Sequence, residues 1–132
     1  MTESTTTPMT ADEIEDLAQR FLAAILNGDV DAVLAIYADD ATIWHNFDNV
    51  DQTPAENART MKFLIRTLTN MRYEEIRRNV LPDGYVQQHV LRATGPKGEL
   101  NMPAMLRAYT AGGRVTRLEE YLDPAAFAAA VG

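Results

Sequence analysis

The chain carries two histidines, His45 and His89, and no cysteine. Thiolate nucleophiles and Cys-based metal sites are therefore excluded, and an imidazole with a carboxylate beside it is the candidate for acid–base chemistry near neutral pH. Alternation along an extended chain groups Tyr85, Gln87, His89, Leu91 and Ala93 on one face. Further on it groups Thr116, Leu118, Glu120 and Leu122. Each face carries a titratable group among apolar neighbours. A neutral imidazole with a carboxylate partner is a general base, and His89 is assigned that role. Glu120 would hold the His89 tautomer and stabilise the imidazolium that forms. Gln87 would offer hydrogen bonds to a carbonyl, hydroxyl or water. The same two residues could instead satisfy one another as a buried structural pair.

These residues need elements to position them. Thr10 and Glu13 fit a capping box, followed by an apolar stripe of Ile14, Leu17, Ala18, Phe21, Leu22, Ile25 and Leu26. Asn27-Gly28 stops that helix. Asp29 caps a shorter one with Val30, Val33, Leu34 and Tyr37 inward, ended by Asp39-Asp40. A strand is expected over 41–47 and a polar loop over 48–52. Thr53-Pro54-Ala55-Glu56 opens a third helix, with Ala58, Met61, Leu64, Ile65 and Leu68 on its inner stripe. Four strands follow, at 72–81, 85–94, 100–110 and 114–122. They are separated by Pro82-Asp83-Gly84, Gly95-Pro96-Lys97-Gly98 and Ala111-Gly112-Gly113. Pro103 marks an edge or a bulge. Arg72, Arg77 and Arg78 among Glu74 and Glu75 read as cross-strand charge pairs. Asp123-Pro124 starts a short Ala-rich helix. Helices first and an antiparallel meander last make an α+β domain, whose curved sheet leaves an apolar cone with a mouth.

Composition sets the outer bounds. The chain has 132 residues, 46% of them hydrophobic, which suits one domain with its own core. Nineteen acidic against twelve basic side chains give a net charge of −7. That balance excludes sequence-independent nucleic-acid binding and attraction to an anionic membrane. No apolar run approaches the roughly 18 residues a bilayer span needs. Residues 1–9 are polar, contain Pro8 and lack the apolar stretch of a signal peptide. They are read as a mobile tail ahead of a single domain over 10–132, and the protein as cytoplasmic. With two histidines and no cysteine, neither a metal site nor a cofactor is expected.

The order α-α-β-α-β-β-β-β resembles the nuclear transport factor 2-like superfamily, and within it the SnoaL-like proteins. Tyr37-Ala38-Asp39-Asp40-Ala41-Thr42-Ile43 looks like the family's helix-to-strand joint. Gly113-Arg114-Val115-Thr116-Arg117-Leu118-Glu119-Glu120-Tyr121-Leu122-Asp123 looks like its last strand. The resemblance runs from Ala11 to Val131 and implies a cystatin-like fold, a cone-shaped curved antiparallel sheet wrapped around helices. Limonene-epoxide hydrolase carries an aromatic-x-Asn on the first strand, similar to Trp44-His45-Asn46, and a carboxylate that aligns with Glu120. Gln87 and His89 stand where that group has Arg and Asp. The general-base Asp of ketosteroid isomerase falls near His45, but the Tyr on its first helix has no counterpart here.

If Asn46 faces the pocket as this resemblance implies, Trp44 shares its face and His45 turns away unless a bulge intervenes. The expected catalytic set is then His89, Glu120 and Asn46. Trp44, Gln87, Leu118 and an inward-turned His45 would contact the substrate. The expected enzyme is small and cofactor-free, working by proton transfer on a cyclic oxygenated metabolite, as an isomerase, cyclase, dehydratase or epoxide-hydrolase-like protein. The alternative is a non-catalytic module that binds an apolar ligand or pairs with a second copy through the sheet's outer face, near Tyr109 and Tyr121. The resemblance implies a homodimer.

Overall fold

A computed structural model describes residues 7–132. Helix α1 (Ala11–Leu26) opens on the expected capping box: Thr10 Oγ1 accepts from Glu13 N at 3.2 Å, and Glu13 accepts from Thr10 N at 2.8 Å. Ile14, Leu17, Ala18, Phe21 and Leu22 are buried, as a single helical stripe requires. Helix α2 (Val30–Ile36) is capped by Asp29 and ends one residue before Tyr37, which already begins strand β1 (Tyr37–His45). Asp39 and Asp40 do not stop the helix. They are exposed where the register of β1 shifts. Beyond that irregularity Ala41, Ile43 and His45 are buried and Thr42 and Trp44 are not.

The loop after β1 contains a two-residue strand, β2 (Asp51–Gln52). Helix α3 (Pro54–Thr67) starts at the second capping box, Thr53 with Glu56. Strands β3 (Thr69–Leu81), β4 (Gly84–Gly95), β5 (Gly98–Ala111) and β6 (Arg114–Tyr121) form the meander, and α4 (Pro124–Val131) closes the chain. Pro103 pairs with Val90 of β4, but the β5–β6 ladder stops at Met105. Its missing N–H therefore lies where β5 has a neighbour on one side only.

The six strands run β2-β1-β6-β5-β4-β3 in a curled, unclosed sheet. The α+β order and the curled sheet are as expected; within the sheet, antiparallel elsewhere, β1 lies parallel to β6, which makes it mixed. The helical segment and the meander between those strands bring β1 back on the far edge of β6. A short antiparallel meander alone cannot supply that long-range pairing. Two apolar clusters form. One joins α1, α2 and the centre of the sheet; the other joins Leu68, Leu91, Ala93, Leu100 and Met102 with Ala130 of α4. Of the segment expected to be a mobile tail, residues 1–6 lie outside the described residues. The Thr7 carbonyl accepts from Gly112 N at 2.7 Å, and Met9 packs on the first cluster. Among the described residues no helix is long and apolar enough to cross a membrane.

Candidate active site

A cavity of about 370 Å³ opens between the two clusters. Its walls are Phe21, Leu22 and Ile25 of α1, Met61, Leu64 and Ile65 of α3, Leu91, Met102, Leu106 and Leu118 of the sheet, and Phe127 of α4. Met61, Leu64 and Ile65 stay only half-buried because their stripe faces this space. The volume is in the range of sites for small organic ligands.

The polar groups on this wall come from two places. His45 and Glu120 sit directly opposite one another across the parallel β1–β6 pair, with His45 Nε2 3.1 Å from Glu120 Oε1. The His45 side chain is 10% exposed and that of Glu120 24%. Burial on its own would lower the His45 pKa. The hydrogen bond to Glu120, its charge and that of Asp48 outweigh burial and raise it. The second group is a chain at the β1–α3 end: the Tyr37 hydroxyl donates to Asn57 Oδ1 at 3.4 Å, and Asn57 Nδ2 donates to Gln52 Oε1 at 3.3 Å. Burial first, then the Glu120 charge, pushes the Tyr37 phenol well up, so it keeps its proton and donates. Tyr73 of β3 also lines the cavity, its pKa raised by burial and then by the Glu120 charge.

The expected pairing of His89 with Glu120 is corrected. Both residues point to the inner side, as alternation requires, but Glu120 meets His45. His89 is buried behind the cavity wall: its Nδ1 lies 2.9 Å from Gln87 Nε2, and its ring meets that of Tyr73 edge-on with centroids 4.8 Å apart. Gln87 is fully buried, its Oε1 taken by Arg78 Nε at 2.9 Å. Arg78 thus turns inward and bonds Glu15 of α1 at 2.6 Å; it is not part of the cross-strand set with Glu74 and Glu75. Burial, together with the Arg78 charge and against that of Glu120, lowers the His89 pKa.

The face of β1 is also reversed. Asn46 lies beyond the strand end, and its Oδ1 accepts from Leu122 N at 3.0 Å. Trp44 faces out, donating to Asn49 Oδ1 at 2.7 Å and contacting Tyr121 edge-on at 5.3 Å. His45 is the residue that turns in, and Leu118 lines the cavity. Tyr37 is expected from sequence only as an inward helix residue, and Tyr73, Asp48, Gln52 and Asn57 are not among the expected site residues. A signal existed for Asn57, which shares the inner stripe of α3 with Met61, Leu64 and Leu68, three or four residues apart. Among the described residues no three His, Asp or Glu gather as a metal site.

Residues 18–119 match the SnoaL-like domain, and the chain belongs to that family. Among solved structures it is similar to PrhC from Penicillium brasilianum, with a TM-score of 0.81 at 16% identity over 91% of this chain and 86% of that one. It is similar to a proposed SnoaL-like polyketide cyclase from Shewanella putrefaciens, with a TM-score of 0.77 at 13% identity over 92% and 97%. An LEH-like epoxide hydrolase of M. tuberculosis gives 0.73 at 17% identity over 91% and 90%. No curated protein matches the sequence significantly. At these identities the structural likenesses show the shared fold, and the site must be argued from this chain's own residues.

Proposed function

We propose that the chain is an enzyme of general acid–base chemistry acting on an apolar, cyclic, carbonyl-bearing ligand held in the cavity. The observation that carries this is a sheltered carboxylate–imidazole pair opening on an apolar space. Glu120 Oε1 receives the His45 N–H, which leaves Oε2 to take a proton from the carbon beside the ligand carbonyl. The C–H electron pair passes into an enolate, whose oxygen can be met by the Tyr37–Asn57–Gln52 edge. Glu120 then returns the proton to another carbon of the delocalised anion, shifting a double bond. Alternatively the enolate carbon attacks a second carbonyl, closing a ring, and that oxygen takes the proton. Side chains of this chain carry every step. The proposed SnoaL-like polyketide cyclase and the LEH-like epoxide hydrolase among the similar structures support reading the fold as an enzyme scaffold.

The test is hydrogen exchange beside the carbonyl of 2-tetralone in D2O, followed by proton NMR. The protein is expected to accelerate it, and Glu120→Gln to return the rate to that of buffer. Equal acceleration by the variant would overturn the assignment of Glu120 as base.

A second copy is proposed as partner. The sheet's outer face carries Tyr121 at 45% and Met105 at 37% exposure beside Trp44. Arg92–Glu74 and Arg117–Glu119 pairs flank them with both signs of charge, so the face complements itself across a two-fold axis. Light scattering should give twice the chain mass; a monomer at micromolar concentration refutes this.

A further inference from the structure

We propose that Tyr73 is a second hydrogen-bond donor to the ligand oxygen, and that His89 is the residue that positions it. This rests on the carbonyl-ligand reading above and adds a residue to it. Tyr73 of β3 lines the cavity. Its hydroxyl makes no hydrogen bond among the described residues, yet it is not one of the sealed polar atoms. It keeps some open surface, and the residue lines the cavity. A buried phenol held in its protonated form is a donor there, and an incoming carbonyl or enolate oxygen is the group that would satisfy it.

What aims the phenol is a chain of polar contacts behind the wall. Glu15 Oε1 accepts from Arg78 Nη1 at 2.6 Å, and Arg78 Nε donates to Gln87 Oε1 at 2.9 Å. A guanidinium only donates, so Gln87 must turn its oxygen to Arg78 and its NH2 to His89. His89 Nδ1, 2.9 Å away, must then accept. The ring proton is thereby confined to Nε2, and the imidazole is neutral with its plane fixed. That plane meets the Tyr73 ring at 86°. The contact falls beside the register shift of β3 between Glu74 and Arg77, where Glu75 takes a φ of +56°. The ladder pairs Tyr73 with Leu91 and breaks two residues further on; within it the edge-on His89 ring packs against the phenol ring and fixes its direction. The charged groups around this clamp are Glu15 of α1, Glu75, Arg77 and Arg78 of β3 and Glu120 of β6.

The experiment uses the full chain with 2-tetralone carrying a ¹³C carbonyl, read by isotope-edited infrared difference. Bound to the unaltered protein, the carbonyl band is expected below its position in an apolar solvent. Tyr73→Phe should move it back up; Glu120→Gln should not. His89→Phe keeps a ring but removes the acceptor, and should broaden the band as Tyr73 loses its fixed direction. An unmoved band in Tyr73→Phe overturns the donor. Long-range proton–nitrogen NMR of the unaltered protein checks the clamp independently of any variant: a proton on His89 Nδ1 at pH 7 overturns it. If the band responds to Tyr73 while hydrogen exchange ignores Glu120, the base assignment falls and Tyr73 stands. Failure of 2-tetralone to bind removes both.

Discussion

His45 and Glu120 occupy paired positions on two parallel strands, with Nε2 and Oε1 3.1 Å apart at the cavity wall. The contact joins residues that are 75 positions apart in the chain. It forms because the last strand of the meander returns beside the first strand of the fold. The imidazole meets one carboxylate oxygen, and both residues line the cavity.

That pairing makes stability depend on pH. His45 has a raised folded pKa, so the folded chain holds this proton more tightly than the unfolded chain does. Its contribution is fully present below the unfolded value of about 6.5 and is lost as pH rises through the folded value. Urea unfolding of the unaltered protein and His45→Gln should therefore show a wider stability gap at pH 6 than at pH 9. A gap that widens toward pH 9 contradicts the raised pKa.

The two histidines should titrate in opposite directions from the ordinary value. His89 has a lowered folded pKa, with burial as the main cause, so the unfolded chain takes up its proton first as pH falls. It costs stability progressively below about 6.5. Because the chain has only two histidines, their ring protons can be followed individually by NMR. On acidification His45 is expected to charge first, with His89 still neutral. The reverse order would mean that Glu120 serves His89 after all.

Local chemistry was legible from sequence; long-range pairing was not. The two capping boxes, the turn residues and the inward faces of β4 and β6 all follow from neighbours within a few positions. Gln87, His89, Leu118 and Glu120 each lie on the side that alternation assigns. The error came at β1, whose register shifts at Asp39–Asp40 and whose partner is 75 residues away. Asn46 fell past the strand end, which exchanged the faces of Trp44 and His45. Ala41 and Ile43 in phase with His45 carried the correct face. The resemblance that sets Asn46 toward the pocket implies the opposite face. Tyr73 was hidden for another reason: its importance lies in what packs behind it.

Helix α4 shuts one end of the cavity with Phe127, and Gly95 is what lets it sit there. A Cβ at Gly95 would strike the Ala130 carbonyl oxygen, a backbone atom that cannot swing aside. That same carbonyl accepts from Lys97 N at 2.9 Å. Gly95→Ala is expected to push α4 off the sheet and cost about 1–3 kcal/mol, as overpacking does. Amide exchange should rise over 124–131 while α1 keeps its protection. Unchanged exchange in α4 would show that the helix docks through other contacts.

Arg78 and Glu15 share one ion pair, yet they should differ sharply when removed. Glu15 is partly exposed, with a side chain at 39%, and its pair with Arg78 lies near the surface. Glu15→Gln keeps an acceptor for the guanidinium, and loss of an exposed ion pair costs about 0–1 kcal/mol. Arg78 is different, because its Nε also serves the oxygen of Gln87, which is 1% exposed. Arg78→Met leaves that oxygen buried without a donor, a loss of about 1–3 kcal/mol. It also frees the Gln87 amide to turn over and present oxygen to His89, which then must carry its proton on Nδ1. Chemical denaturation of the two variants should rank Arg78→Met well below Glu15→Gln. Nitrogen shifts of His89 should change in the former and not in the latter. Equal losses would mean that the ion pair, and not the buried chain behind it, is what holds β3 to α1.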